Sequence, residues 1–388
     1  MTKIYLDNAA TTPLDPEVFD AMVPYMKEHF GNPSAIHGFG RRTRAAIEQA
    51  RRSVVSALLN CTPSEIIFTS GGTEADNMAL ECSVRDLGVK HIISSRIEHH
   101  AVELTAEAIG HDGGAQVHWV RLHADGQPDL AHLEELLKAT QGQGVLVSLM
   151  HANNELGTRI DLTAVGGLCR RYGALFHSDT VQTMGHYRFD MEKLPVDLLT
   201  CAAHKFHGPK GIGFLYMRNG VGLKPLILGG SQERNMRAGT ENLYGIVGLA
   251  KAMEVAYRDL DEHIHHVSGL KAHMKQRLKA EIPGVSFNGD SGPESLYTVL
   301  SVNFPEDGKS EMLLYNLDIE GVACSGGSAC SSGSNKGSHV MAALYPDQTG
   351  ANLRFSFSRY TTKDEIDRTL EVLKRVFEPV IAGARVKA

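Results

Sequence analysis

Between Ile66 and Cys201 the chain alternates short apolar, strand-like runs with stretches of helical periodicity, and this alternation sharply limits its fold. The runs are Ile66–Thr69, His91–Ser94, Val117–Val120, Val145–Met150, Ala174–His177 and Leu198–Cys201. Between them lie helical patterns at Glu74–Asp86, Glu98–Ile109, Leu130–Ala139 and Leu162–Tyr172. Strands separated by helices of this length must cross over, and right-handed crossovers build an α/β layer around a mostly parallel sheet. An earlier helical pattern, from about Gly40 to Leu59, is expected to carry its arginines on the outer face. After Thr240 the pattern changes to helices up to Asp261 and from Val267 to Ala280, then a strand at Thr298–Phe304 and a short helix at Lys309–Asp318. A strand at Leu353–Ser358 and a helix from Lys363 to about Val380 follow. These mixed elements predict a smaller α+β domain, with residues 15–255 forming the large domain and 1–14 plus 256–388 the small one. A chain of 388 residues has ample apolar content for two cores.

In a parallel sheet, ligands sit beyond the carboxyl ends of the strands, so the residues just after each run matter most. Four polar clusters fall there: Ser70-Gly71-Gly72-Thr73-Glu74, Glu98-His99-His100, His151-Ala152-Asn153-Asn154-Glu155 and Ser178-Asp179-Thr180-Val181-Gln182. Ser70-Gly71-Gly72-Thr73, between strand and helix, suits a phosphate: the glycines allow close approach and the helix N-terminus offers free N–H groups. A plain Gly-Gly turn reads the same way, and no dinucleotide or P-loop spacing occurs. The run to Cys201 ends in Ala202-Ala203-His204-Lys205, which puts the Lys205 amine on the same edge. Asp179 reads either as a helix cap or as the carboxylate that keeps a heterocyclic nitrogen protonated. Phosphate seat, carboxylate and lysine together are the three fixed points of a pyridoxal phosphate site.

Composition removes other classes. The net charge of -6 is spread over both signs without a basic stripe, which argues against nucleic acid. No apolar run approaches about 18 residues, so no membrane span is expected and the cytoplasm is the expected compartment. The six cysteines show neither C-x-x-C nor zinc-site spacing, and no metal is expected. Cys61, Cys82, Cys169 and Cys201 read as inert packed thiols. Cys324 and Cys330 lie in a run of small polar residues, Cys324 to Gly337, that reads as a mobile loop.

Further motifs extend along nearly the whole chain: Tyr5-Leu6-Asp7-Asn8-Ala9-Ala10-Thr11-Thr12, Gly31-Asn32-Pro33-Ser34, Asn153-Asn154-Glu155-Leu156-Gly157, Arg237-Ala238-Gly239-Thr240-Glu241, Ser328-Ala329-Cys330 and Arg354-Phe355-Ser356. With the clusters above, this ordered set resembles the cysteine desulfurases of the class V aminotransferase family, in the group with a long cysteine loop used in iron–sulfur cluster assembly. The resemblance implies the fold type I of pyridoxal phosphate enzymes, with a seven-stranded sheet in the large domain. It also implies roles. Lys205 would hold pyridoxal 5'-phosphate covalently and shuttle protons. His99 would stack on the pyridine ring, although it also reads as a helix cap; its neighbour His100 is expected at the surface. Asp179 would pair with the ring nitrogen and Gln182 with the ring oxygen. Gly72, Thr73 and His204 would seat the phosphate, joined by Thr240 from the second copy of a homodimer. Asn154 and Arg354 would hold the substrate carboxylate, Arg354 through its planar fork, where a structural ion pair is the competing reading. Cys330 would take sulfur from L-cysteine as a persulfide, releasing alanine, and could be a transient cluster ligand; Cys324 is a second candidate carrier. The same lysine would also serve a selenocysteine lyase or another class V aminotransferase. Sulfur would pass to an acceptor such as an iron–sulfur scaffold protein. One position departs from the pattern: Ala202 stands where most relatives have a phosphate-binding serine, with Thr200 a possible substitute, and weaker cofactor retention is expected.

Overall fold

The structure, a computed structural model, describes residues 3–289, 292, 294–306, 312–326 and 337–387, with backbone alone for 53 and 378–387. Its strands are β1 (Ile4–Tyr5), β2 (Ile66–Thr69), β3 (His91–Ser94), β4 (Gln116–Trp119), β5 (Val145–Ser148), β6 (Leu175–Asp179), β7 (Leu198–Ala202), β8 (Gly213–Met217), β9 (Ser286–Phe287), β10 (Val299–Phe304), β11 (Val322–Ala323) and β12 (Ala351–Ser356). Seven of them form one sheet in the order β2-β8-β7-β6-β5-β3-β4. Only β8 runs against its neighbours, pairing antiparallel with β2 and β7. The other pairings are parallel. Every residue of β2, β5 and β7 is buried, as expected of strands covered by helices on both faces.

The expected strands of this sheet are all present, and helices Leu130–Ala139 and Leu162–Tyr172 begin and end where their periodicity placed them. Asp129 and Asp161 cap these two helices, each accepting from two backbone N–H groups. Strand β8 was not anticipated, because its apolar run follows directly on the turn after Lys205. Helix Pro16–Lys27, with Pro at its first position and Asp15 as its cap, is a further element beyond the expected set.

The expectation that the arginines of 40–59 all face outward is overturned at Arg51. This residue is 1% exposed, and its Nη1 and Nη2 donate to the two Glu233 carboxylate oxygens at 2.8 and 2.7 Å. Ile47, Arg51 and Val55 lie four residues apart, so a helical turn carries Arg51 onto the apolar stripe.

One hydrophobic core, from Val18 to Leu260, lies on one face of the large sheet, and another, from Ile67 to Leu223, covers the opposite face. A third joins Ile4 and Leu6 to residues between Val267 and Phe377. Around it stand the antiparallel sheet β9-β10-β12 and the helices Leu260–Glu281 and Lys363–Lys387. β1 pairs in parallel with β11, fixing the N-terminal segment to this second body. Among the described residues no helix is long and apolar enough to cross a membrane.

Candidate active site

The carboxyl ends of β2, β3, β5, β6 and β7 open on one cleft with a cavity volume of about 240 Å³. Ten of the residues singled out in the sequence were expected to build it around a cofactor and substrate. The structure brings Gly72, Thr73, His99, Asn154, Asp179, Gln182, His204, Lys205 and Arg354 to its wall and leaves Thr240 outside. Thr240 is exposed, beside a separate hollow lined by Ser70 and Arg237. Cys330 lies outside the described residues.

Lys205 ends a single 3-10 turn, Ala203–Lys205, that follows β7 directly. Its Nζ donates to the carbonyl oxygens of Ala9 and Ala10 at 2.7 and 2.9 Å, so the turn after β1 forms the opposite wall. Gln182 Nε2 also donates to Ala9, at 3.0 Å, and His204 Nδ1 lies 3.1 Å from Thr11 Oγ1. Gly72 begins helix Gly72–Leu87, where a Cβ would come within 2.8 Å of Val181. Only glycine lets that helix end approach so closely.

His99 satisfies both of its readings. It caps helix His100–His111 by accepting from Ala101 N at Nδ1, 3.1 Å away, while its ring lines the cleft. With Nδ1 accepting, Nε2 carries the hydrogen of the neutral ring. Burial first, then the charge of Lys205, lowers its pKa to about 4. His100 is not the surface residue expected: it is half-buried, with its ring centroid 4.3 Å from that of His339.

Two buried acids carry no role in the motifs above: Asp76, which lines the cleft, and Glu98, which stands behind it. Burial raises Asp76 to about 7 and Asp179 to about 7, the charge of Asp76 adding to the rise at Asp179. Glu98, which accepts from Ser95 Oγ and Met150 N, is raised to about 8 by burial. Asp76 Oδ1 has no hydrogen-bond partner among the described residues although it is buried, and His177 Nε2 lies 3.5 Å away. Burial lowers His177 to about 4, so this contact is between a neutral imidazole and an acid rather than an ion pair. Spacing offered a signal for Asp76, since Gly72, Thr73 and Asp76 share one helical face.

Arg354, 2% exposed, donates through Nη2 to Asp7 Oδ1 at 2.8 Å and through Nη1 to the Asn154 carbonyl at 2.9 Å. Its Nε is buried without a partner among the described residues. The ion-pair reading therefore holds, and the residue also lines the cleft. Thr200 cannot stand in for the missing serine: fully buried, its Oγ1 is 3.1 Å from His177 Nε2 and it does not line the cavity. Cys324 is not part of a mobile loop. It follows β11, packs on the third core, and burial pushes its thiol up to about 12.

The family model described as aminotransferase class-V matches residues 4–369. The chain belongs to the class-V aminotransferase family. Within this family it is 43% identical over 381 residues to the cysteine desulfurase IscS of Dictyoglomus turgidum, covering 97% of this chain and 95% of that one. A solved NifS-like protein superposes with a TM-score of 0.88 at 35% identity, over 97% of this chain and all of the other. A structure described as SspA in complex with cysteine gives 0.78 at 32% identity over 93% of this chain and all of that one. These class-V relatives have the fold type I of pyridoxal phosphate enzymes, and the class-V enzyme described here depends on that cofactor. Its cleft fits the group: glycine clears the helix end at Gly72, an amine and a buried carboxylic acid face the cavity, and His204 and Thr73 stand beside the helix terminus.

Proposed function

We infer that this class-V enzyme is a cysteine desulfurase, removing sulfur from L-cysteine to leave L-alanine and a persulfide on Cys330. The observation that carries the reading is the placing of the Lys205 amine and the Asp179 carboxyl on one cleft, in a chain so similar to named desulfurases. When bound, pyridoxal phosphate supplies an electron sink that weakens bonds at the substrate α-carbon and β-carbon.

Lys205 would hold the cofactor and, once displaced, carry the proton of the substrate α-carbon. Gly72 and Thr73 would present backbone N–H groups and a hydroxyl to the phosphate, with His204 beside them. Asp179 would give up its proton and hold the ring nitrogen in its charged form; a cation there favours the carboxylate over the acid. Gln182 keeps one amide hydrogen for the ring oxygen while the other stays on Ala9. His99 would stack on the ring and keep an Nε2–H donor toward the cleft. Asn154 and Arg354 would orient the substrate carboxylate, Arg354 having its Nε still to satisfy. The Cys330 sulfur would then attack the substrate sulfur, so that the carbon–sulfur bond breaks and a sulfur–sulfur bond forms.

The same reading makes the enzyme a homodimer whose Thr240 reaches the phosphate of the second copy, in keeping with its exposure outside its own cleft. The same reading divides the chain into a large domain over 15–255 and a small one over 1–14 and 256–388, a division that the core from Val18 to Leu260 and the core joining Ile4 and Leu6 to residues 267–377 support to within a few residues. The setting would be the cytoplasm and the acceptor an iron–sulfur scaffold protein. The experiment is to measure alanine and persulfide from L-cysteine with and without Cys330→Ala. Loss of both products with cofactor absorbance retained is expected. An unchanged rate would refute the desulfurase reading in favour of a lyase or aminotransferase that needs no thiol.

A further inference from the structure

Helix His100–His111 directs His100 and Glu103 to one face, three residues apart. His339, at the start of the short helix His339–Leu344, meets them there. One ligand atom from each of the three side chains lies within 4.8 Å of the other two. The two imidazoles pack at 4.3 Å between centroids, and His339 Nε2 is 3.5 Å from Glu103 Oε2. In a tetrahedral zinc site with bonds of about 2.0–2.1 Å, neighbouring ligand atoms stand roughly 3.4 Å apart, a closure that small side-chain rotations supply.

Two details favour a ligand over an ordinary polar contact. His339 Nε2 lies 2.9 Å from the Glu98 carbonyl oxygen and donates to it, while Nδ1 is buried and has no hydrogen-bond partner among the described residues. With Nε2 given to that carbonyl, the nitrogen left for a cation is Nδ1, on the ring whose Nε2 lies 3.5 Å from Glu103 Oε2, so a pivot of the ring has to turn Nδ1 toward Glu103. Glu103 has only a weak cation: Arg96 Nη1 is 4.0 Å away and bonds instead to Glu107.

We propose that His100, Glu103 and His339 form a binding site for a divalent transition-metal cation, zinc by ligand type, joining the helix capped by His99 to the helix begun by His339. None of the three residues lines the cofactor cleft, so the site is separate from the sulfur chemistry and its test does not depend on that reading. A bound cation fastens the N-terminal turn of the His99 helix and places positive charge next to that ring, which strengthens its neutral state.

The test is equilibrium dialysis of the holoenzyme against Zn²⁺, in a Cys330→Ala background that removes the proposed nucleophilic thiol. One zinc per chain is expected, with affinity lowered about tenfold or more by His339→Ala and by His100→Gln. His100 is half-buried at a helix start, so its variant keeps the measurement meaningful if His339→Ala disturbs folding; cofactor absorbance reports folding in both. Undiminished affinity in His100→Gln, or no zinc taken up by the parent at micromolar concentration, would overturn the proposal.

Discussion

Ala202→Ser tests how this enzyme holds its cofactor. Ala202 ends β7, is 2% exposed and lines the cleft. Its Cβ lies 3.7 Å from where a Cβ on Gly72 would stand, beside the N-terminus of helix Gly72–Leu87. A hydroxyl added there faces the proposed phosphate seat, and Thr200 cannot already supply it because its Oγ1 is engaged with His177. A hydrogen bond to a charged group contributes about 1.5–3 kcal/mol. At about 1.4 kcal/mol per factor of ten, the cofactor Kd should fall roughly ten- to hundredfold. The added oxygen borders open cavity rather than packed core, so apoprotein stability should move by no more than about 0.5 kcal/mol. Kd is read by titrating apoprotein with pyridoxal phosphate and following its absorbance. Ala202→Val serves as the control, adding bulk without a donor, and should not tighten binding. A Kd for Ala202→Ser equal to that of the parent, or matched by valine, would show that the missing hydroxyl does not limit retention.

Lys205→Ala should abolish both the absorbance of covalently held cofactor and alanine production; retained turnover would remove Lys205 from the proposed role. Arg51→Met leaves the Glu233 carboxylate buried without its partner and should cost about 3–5 kcal/mol, whereas the double variant with Glu233→Leu should recover part of that loss. Urea unfolding measures both. In the apoprotein, His99, His177, His186 and His204 are lowered to about 4, and His151 and His207 to about 3, all by burial. Each binds its proton more readily when unfolded, so each contributes stability above pH 6.5 that is lost as pH falls toward 4. Asp76, Glu98 and Asp179, raised to about 7, 8 and 7, act in the opposite sense and lose stability as pH rises through that range. The imidazoles outnumber the carboxyls, so unfolding midpoints should peak near neutrality and drop on the acid side; a midpoint higher at pH 5 than at pH 7 would contradict the assignment.

The large sheet and the cleft were legible because parallel strands buried on both faces need continuous apolar runs, and the chain must leave each run at the same edge. Lys205, Asp179 and Gln182 follow such runs within a few residues, so local spacing sufficed to place them. Asp76 has no place in the motifs, and Glu98 only a place in a polar cluster, because what sets these acids apart is burial beside residues distant in sequence. Arg51 looked like solvent-facing charge until its partner appeared 182 residues away. A charge on an apolar stripe is a signal that another chain segment must answer it. His100 was misread for the same reason, its neighbour His339 lying beyond the reach of helical periodicity. Cys324 was grouped with the glycine-serine run by composition, whereas the β1–β11 pairing decides where it sits.

The turn at Ala9 and Ala10 sets when the cleft can come into being. Lys205 and Gln182 grip its carbonyls, while Ala9 N and Asn8 Nδ2 are held by Ser356 and Asp7 by Arg354. These bonds join residues 173 to 348 positions apart. On a ribosome the turn and the lysine both emerge long before the strand that fastens one against the other. A nascent chain can therefore complete its seven-stranded sheet and still lack one wall of the cleft. Cofactor capture belongs to the end of synthesis, and any product truncated before Ser356 should keep the lysine yet fail to mature.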